Sequence, residues 1–184
     1  MPRFAAFLRA VNVGGRVVKQ EALKRAFEAA GAADPETFLA SGNVVFSSKV
    51  SRGLEARLAR ALAASLSFEV PVFVRTLVEV VSLAAHRPFP EEDVPAFPTF
   101  LVGFLSKNLD AAGVERISSL ESPEDRFHVR GRDFWWLSKH HQARPAITPR
   151  RLEKALGQPT TLRNVNTVRR MAEKFGEGKT RKIS

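Results

Sequence analysis

The sequence predicts an α+β fold built from two ferredoxin-like (βαββαβ-type) subdomains with extra C-terminal helices. Its first half alternates between strand and helix patterns in the order βαββαβ, which is the order of that fold. Four prolines then fall close together, and a βαββα pattern starts again after them, which indicates a structural duplication. The predicted division is a first subdomain at 1–84, a Pro-rich linker at 85–98, a second subdomain with C-terminal helices at 99–175 and a basic tail at 176–184.

The elements of the first subdomain follow from apolar spacing. Leu23 and Phe27 recur at helical spacing, and Gly31 supplies the stop of that helix. The turn Ser41-Gly42-Asn43 divides two extended runs and predicts a hairpin, which we expect at the opposite sheet end from the first βα turn. The predicted elements are a strand at 3–11, a helix at 19–30, strands at 36–40 and 43–48, a helix at 53–66 and a strand at 70–75.

Capping signals mark two further helices. Thr76 and Glu79 have the spacing of a capping box, which predicts a short helix to about residue 84. Thr148 before Pro149 predicts a helix start, and Gly157 predicts its end. The remaining predicted elements are a strand at 99–105, a helix at 109–118 with Asn108 as N-cap, strands at 125–130 and 132–138, and a last helix at 166–175.

The composition excludes several classes of protein. A chain of 184 residues with 44% hydrophobic and 26% charged residues is typical of a globular protein that folds without stabilising disulfide bonds or metal ions. The absence of cysteine excludes disulfides, thiolate zinc sites and a Cys nucleophile, and it fits a cytoplasmic location. No stretch approaches the ~20 apolar residues of a membrane span, so no membrane association is predicted.

The charge is concentrated at the C-terminal end. Residues 139–184 hold twelve Lys and Arg against three acids, whereas the first 138 residues hold seventeen bases and sixteen acids. Such a basic segment predicts an anionic partner, either a nucleic acid or a phosphorylated small molecule, although a solvated surface would also explain it. The candidate nucleic-acid-binding residues are Arg150, Arg151, Lys154, Arg169, Arg170, Lys174, Lys179, Arg181 and Lys182.

Three polar motifs are candidate ligand sites. Asn12 with Gly14 and Gly15 ends the first strand and is either a phosphate cradle or a tight turn. The run from Arg163 to Thr167 precedes the last helix and is either an anion site or a set of capping residues. The alternative function is therefore a small-molecule or enzymatic site in the cleft between the subdomains, for which the candidates are Asn12, Gly14, Gly15, Asn43, Arg163, Asn164, Asn166 and Thr167.

Aromatic residues and histidines give weaker signals. Trp135 and Trp136 lie next to each other on one predicted strand, so one faces the core and the other needs cover from helices, a partner or a stacked base. The four histidines have no metal-ligand spacing, and neither a metal nor a cofactor is predicted. No nucleophile elbow is present and no paired carboxylates fall in an evident cleft-forming segment, so the sequence leaves open whether the protein is an enzyme.

Three segments together resemble a known family. They are Leu8-Arg-Ala-Val-Asn12-Val-Gly14-Gly15, Ser41-Gly-Asn-Val-Val-Phe46 and Leu162-Arg-Asn-Val-Asn-Thr-Val168. In order and spacing they resemble the uncharacterised bacterial proteins grouped as domain of unknown function 1697. The chain departs from that pattern at Ala10, where the family usually has Gly, and at Val165, where it usually has an aromatic residue. The resemblance implies a pair of ferredoxin-like subdomains and implies no activity.

Overall fold

The computed structural model describes residues 1–12, 17–39 and 42–176 as a mixed α+β chain. The described residues form two four-stranded antiparallel sheets and six α-helices. The chain folds as two compact units, of which unit 1 takes Met1–Leu83 and the chain from Met171 onward, and unit 2 takes Ala84–Arg170. The Pro-rich segment at 85–98, interpreted above as a linker, lies within unit 2.

Unit 1 is organised around its first strand. The sheet has the order β2-β3-β1-β4, so β1 is hydrogen-bonded on both sides by antiparallel neighbours. One face of the sheet packs on two helices through alternate residues of β1, namely Phe4, Ala6 and Leu8. The elements are β1 (Arg3–Leu8), α1 (Gln20–Ala29), β2 (Ala33–Thr37), β3 (Asn43–Ser47), α2 (Leu54–Leu66), β4 (Val72–Thr76) and α3 (Leu77–Ala85).

Unit 2 has the same strand order about a different central strand. Its sheet runs β6-β7-β5-β8, with β5 between two antiparallel neighbours. Leu101 and Trp136 contribute to a core closed by α4 and α5. The elements are a 3-10 turn (Val94–Ala96), β5 (Thr99–Phe104), α4 (Ala111–Ser118), β6 (Asp125–Arg130), β7 (Asp133–Ser138), α5 (Pro149–Leu156), β8 (Thr161–Asn164) and α6 (Val165–Phe175), which continues into unit 1.

The capping signals are confirmed at two helices. The Thr76 N–H donates to Glu79 Oε2 at 2.7 Å and the Glu79 N–H to Thr76 Oγ1 at 3.1 Å, which is a capping box. Thr148 Oγ1 accepts from the Arg151 N–H at the start of α5. Gly157 ends that helix with a φ of 68°.

Other predicted boundaries were wrong. The N-cap of α4 is Asp110, whose carboxylate accepts from the Gly113 N–H at 2.7 Å, and not Asn108. The second strand lies three residues earlier than predicted, because its polar residues pair along a sheet edge that tolerates Pro35. Strand β8 was not predicted, since its four residues show no apolar alternation.

The registers around the two central strands match. In unit 1 Ala5 lies between Val45 and Arg75, and in unit 2 Val102 lies between Trp135 and Arg163. Strands β4 and β8 therefore each carry a buried arginine, Arg75 or Arg163, one residue before the strand ends at Thr76 or Asn164. A helix begins directly after each of these strands. This repeat is visible in the pairing and not in the sequence.

Gly103 allows the Phe134 ring to pack directly against the backbone of β5. A Cβ at this position would lie 2.1 Å from Cζ of the fully buried Phe134 ring. We expect Gly103→Ala to lower the free energy of unfolding by about 1–3 kcal/mol, because the ring has to leave its packed position. Urea unfolding followed by tryptophan fluorescence measures this loss.

Phe134→Leu provides the control for this contact. If the clash with the ring causes the loss of stability, Gly103→Ala should lower the free energy of unfolding less in the Phe134→Leu variant than in the native chain. The difference between the two losses should exceed about 0.5 kcal/mol. Equal losses in both backgrounds would contradict this explanation.

Candidate functional site

The first polar motif and the hairpin meet at one end of the sheet of unit 1. The Leu8 N–H donates to the Gly42 carbonyl at 2.8 Å, and a Cβ on Gly42 would lie 3.5 Å from Val11 Cβ. The expectation that the hairpin lies at the opposite sheet end from the first βα turn is therefore wrong. The reason is that β1 and β3 are antiparallel, so the end of one meets the beginning of the other.

Both asparagines at this end have structural partners. Asn12 Oδ1 accepts from the Val18 N–H at 2.8 Å across the loop, and the buried Asn43 donates from Nδ2 to the Phe38 carbonyl at 2.9 Å. Each amide therefore closes its own loop. Gly14 and Gly15, the other candidates here, lie outside the described residues, as does Ser41 of the hairpin turn.

The arginine of the third motif belongs to its strand. Arg163 is 8% exposed, and its Nη1 donates to Thr161 Oγ1 and to the Leu162 carbonyl, both at 2.8 Å. Burial lowers the pKa of Arg163 to about 10, because the charged guanidinium loses hydration. This arrangement supports a structural role for Arg163.

The polar residues after Arg163 start helix α6. Asn164 Oδ1 accepts from the Asn166 N–H at 2.9 Å, which satisfies one free donor of the first turn. Asn166 is exposed, Thr167 is half-buried and Val165 is buried. Helix capping thus explains the presence of Asn164 directly after Arg163.

The basic residues predicted to bind nucleic acid do not share one environment. Lys174 forms an ion pair with Glu36 in unit 1, and Arg169 is half-buried in unit 2. The exposed members among the described residues are Arg150, Arg151, Lys154, Arg170 and the ion-paired Lys174. Lys179, Arg181 and Lys182 lie outside the described residues.

Helix α5 presents a basic outer face. Arg150, Arg151 and Lys154 are exposed, and none of them pairs with a carboxylate in the described part of the chain. The only acid of this helix, Glu153, accepts instead from the Thr160 N–H at 3.1 Å. Leu152 on the opposite side is buried in the core of unit 2. These three cations form the largest exposed basic group that the predicted residues provide in one element.

The tryptophan pair is buried on both faces of the sheet. Trp136 is 3% exposed in the core of unit 2, where its Nε1 donates to Asp125 Oδ1 at 2.8 Å. Trp135 is fully buried, with its ring centroid 4.5 Å from that of His86 and 5.5 Å from the guanidinium carbon of Arg130. A partner bound to an exposed tryptophan, one possibility left open by the sequence, is therefore excluded.

Two histidines lie next to this buried tryptophan. The rings of His86 and His128 are 5.2 Å apart, and Arg130 Nη1 lies 3.5 Å from His86 Nδ1. Burial and the charge of Arg130 lower the pKa of both histidines, and the His128 charge adds to the effect at His86. Among residues 1–12, 17–39 and 42–176 no three His, Asp or Glu side chains form a group able to hold a metal.

Sequence reasoning missed Arg87, which lies in the segment interpreted as a linker. Arg87 and Arg169 line a single cavity of about 280 Å³ in unit 2. The sequence does place Arg87 directly before the apolar run Pro88-Phe89-Pro90, which could have marked it as a candidate binding residue. Its position near α6, however, depends on tertiary packing.

Comparisons with known proteins place the chain in a family. The model of a family described as "Protein of unknown function (DUF1697)" matches residues 1–135, which confirms the resemblance inferred from the motifs. The solved structure of conserved bacterial protein SP0830 from Streptococcus pneumoniae is similar, with a TM-score of 0.72 and 20% identity over 96% of this chain and 99% of that chain. At this identity the likeness shows the fold alone. None of the curated proteins matches the chain.

Within the described residues, no helix is both long and apolar enough to cross a bilayer.

Ala10 adopts a backbone conformation that favours glycine. Ala10 has a φ of 55°, in the left-handed region that costs a residue with a Cβ ~1–2 kcal/mol. We expect Ala10→Gly to raise the free energy of unfolding by about 0.5–1 kcal/mol, since relief of this strain exceeds the added backbone entropy of the unfolded chain. Ala22→Gly in α1 is the control and is expected to lower it by about 1 kcal/mol. Equal destabilisation by both substitutions, in urea unfolding, would contradict the prediction.

The histidine pair predicts a pH-dependent stability. Because the folded pKa of His86 and His128 is lowered, the unfolded chain binds more protons below its ordinary histidine pKa of ~6.5. The free energy of unfolding should therefore fall as the pH decreases from 7.5 to 5.5. Urea unfolding at several pH values should show a smaller fall for the double variant His86→Gln/His128→Gln. An unchanged fall in that variant would assign the effect to other groups.

Proposed function

The chain belongs to the DUF1697 family of proteins of unknown function, so we infer its role from its own surface. We propose that it binds a phosphate-bearing partner, a nucleic acid, through its basic C-terminal segment. The observation that carries the proposal is the outer face of α5. Arg150, Arg151 and Lys154 stand there exposed and without carboxylate partners among the described residues.

The geometry of α5 suits a polyanion. Positions 150, 151 and 154 lie on one side of a helix, so their charges act together on successive phosphates. Each cation that neutralises a phosphate releases condensed counterions, which is the main source of sequence-independent affinity. Because the Glu153 carboxylate accepts a hydrogen bond from the Thr160 N–H, it does not place a negative charge on this basic face.

The mode of binding is contact with phosphates and not stacking on the sheet. Some RNA-binding ferredoxin-like sheets stack bases on exposed aromatic residues. Trp135 and Trp136 are buried here, so neither offers a platform. We therefore propose low sequence selectivity, with the exposed Arg170 and the cations beyond Gly176 adding to the charge.

Two further assignments accompany this proposal. We propose that each unit is a ferredoxin-like subdomain, supported by the shared order β2-β3-β1-β4 and β6-β7-β5-β8. We also propose a cytoplasmic location, supported by the absence of cysteine. A small-molecule or enzymatic site built from the polar motifs has less support, because Asn43, Arg163 and Asn164 bond within their own hairpin, strand and helix.

Fluorescence anisotropy with mixed-sequence single-stranded RNA and DNA at 50 and 200 mM KCl tests the proposal. The native chain should bind both, and its affinity should fall steeply with salt. The triple variant Arg150→Gln/Arg151→Gln/Lys154→Gln should lower the slope of log K against log salt by about 2, since each contact to a single strand contributes ~0.7.

A matched control removes the same charge elsewhere. Lys49→Gln/Arg52→Gln/Arg60→Gln changes three exposed cations of unit 1 and should leave the slope nearly unchanged. A chain truncated after Phe175 measures the contribution of the last residues. Absent or salt-independent binding by the native chain, or equal effects of the two triple variants, would overturn the proposal.

A further inference from the structure

The Pro-rich segment forms a cavity in unit 2 that differs from the face of α5. Its volume is about 280 Å³, slightly below the ~300–1,000 Å³ of pockets for drug-sized ligands. It is lined by Arg87, Pro88, Phe89, Glu91, Val94, Pro95, Phe100 and Arg169. The cavity therefore suits a small molecule and not a polymer.

The inner wall of the cavity is aromatic. Phe100 belongs to β5 and is 8% exposed, and the ring of Phe89 packs against it edge to face with centroids 5.9 Å apart. Two prolines that line the cavity restrict the backbone of the segment. This wall offers a rigid apolar surface to a flat group.

Arg169 brings an unsatisfied donor to this wall. Its Nε is buried and has no hydrogen-bond partner among the described residues, and its guanidinium carbon lies 5.9 Å from the centre of the Phe100 ring. A buried donor without a partner costs ~1–3 kcal/mol, more when the group is charged. An acceptor within the cavity would remove that cost.

Arg87 adds a second positive charge to the same cavity. Its Nη1 donates to the Ala84 and His86 carbonyls at 2.9 and 3.2 Å, so the backbone fixes its guanidinium. Burial, and then the charge of Arg87, lower the pKa of Arg169, whereas Glu91 opposes the shift. Two like charges in one cavity repel each other until an anion is bound between them.

Among the described residues that line the cavity, Glu91 is the only acid, and its ion pair with Arg87 is weak. Glu91 Oε1 lies 3.5 Å from Arg87 Nε, with side chains 81% and 49% exposed. Exposed pairs of this kind contribute ~0–1 kcal/mol, so an incoming oxyanion can displace the carboxylate.

We propose that this cavity binds a small molecule made of a compact oxyanion, phosphate or carboxylate, joined to a flat apolar group. The oxyanion accepts from Arg87 and from Arg169, and the apolar group packs on Phe100 and Phe89. Arginine suits this role because its fork of donors matches both oxyanions. This site goes beyond the proposed nucleic-acid contact and does not depend on it, since it uses none of the α5 cations.

Isothermal titration of the full chain with phenyl phosphate, benzoate and inorganic phosphate tests the site. We expect saturable binding of phenyl phosphate, benzoate or both, and weaker binding of inorganic phosphate, which lacks the apolar group. The ratio of the two aromatic affinities assigns the oxyanion to a phosphate or to a carboxylate.

Substitutions then locate the binding. Arg169→Gln should weaken it about tenfold or more, since a hydrogen bond to a charged group is lost, and Arg169→Lys should weaken it less. Arg170→Gln, the exposed neighbour on α6, should leave the affinity unchanged. Glu91→Gln should strengthen it about two- to fivefold, because the competing carboxylate is removed. Such a gain would not result from a folding defect.

Two outcomes would overturn the proposal. One is the absence of saturable binding of either aromatic probe to the native chain. The other is an equal loss of affinity in Arg169→Gln and Arg170→Gln. The α5 triple variant separates this site from the proposed nucleic-acid contact, because it should bind RNA poorly and still bind the aromatic probe.

Discussion

The central strand of each sheet is the constraint from which the other features follow. β1 and β5 are hydrogen-bonded on both sides by antiparallel strands, and all their residues except Arg3 are buried. Antiparallel pairing also fixes which loops meet: the segment after Leu8 lies against Gly42, and the segment after Phe104 bonds through Leu105 to the Arg132 carbonyl. The positions of the polar motifs result from this pairing.

The cations of the C-terminal segment are separated by their packing. Arg163 is buried in β8, Lys174 forms an ion pair with Glu36, and Arg169 lines a cavity with Phe100. Among the candidate nucleic-acid-binding residues that the structure describes, the exposed cations without a carboxylate partner are Arg150, Arg151 and Lys154 on α5 and Arg170 on α6. The cations of a basic segment thus divide into structural, pocket-lining and exposed residues. All of them contribute to the long-range field, but only the exposed ones can contact the phosphates of a polyanion directly.

Local signals could be predicted from the sequence, and features that depend on distant contacts could not. The capping box of Thr76 and Glu79 involves residues three apart, so its chemistry is visible in the sequence. Strand β8 is stabilised by pairing with β5, about sixty residues earlier, and its own residues give no strand pattern. The burial of Arg163 and the cavity beside Arg87 likewise arise from tertiary packing, because an arginine in a sequence is expected on the surface.

The matching registers around the central strands give the two units a common arrangement of charge. A buried arginine is costly to desolvate, and Arg75 and Arg163 occupy equivalent positions beside the middle of the central strand in the two sheets. The apolar residues opposite them differ, with Ala5 and Val45 in unit 1 and Val102 and Trp135 in unit 2. Backbone pairing therefore relates positions in the two units whose neighbouring residues share no sequence pattern.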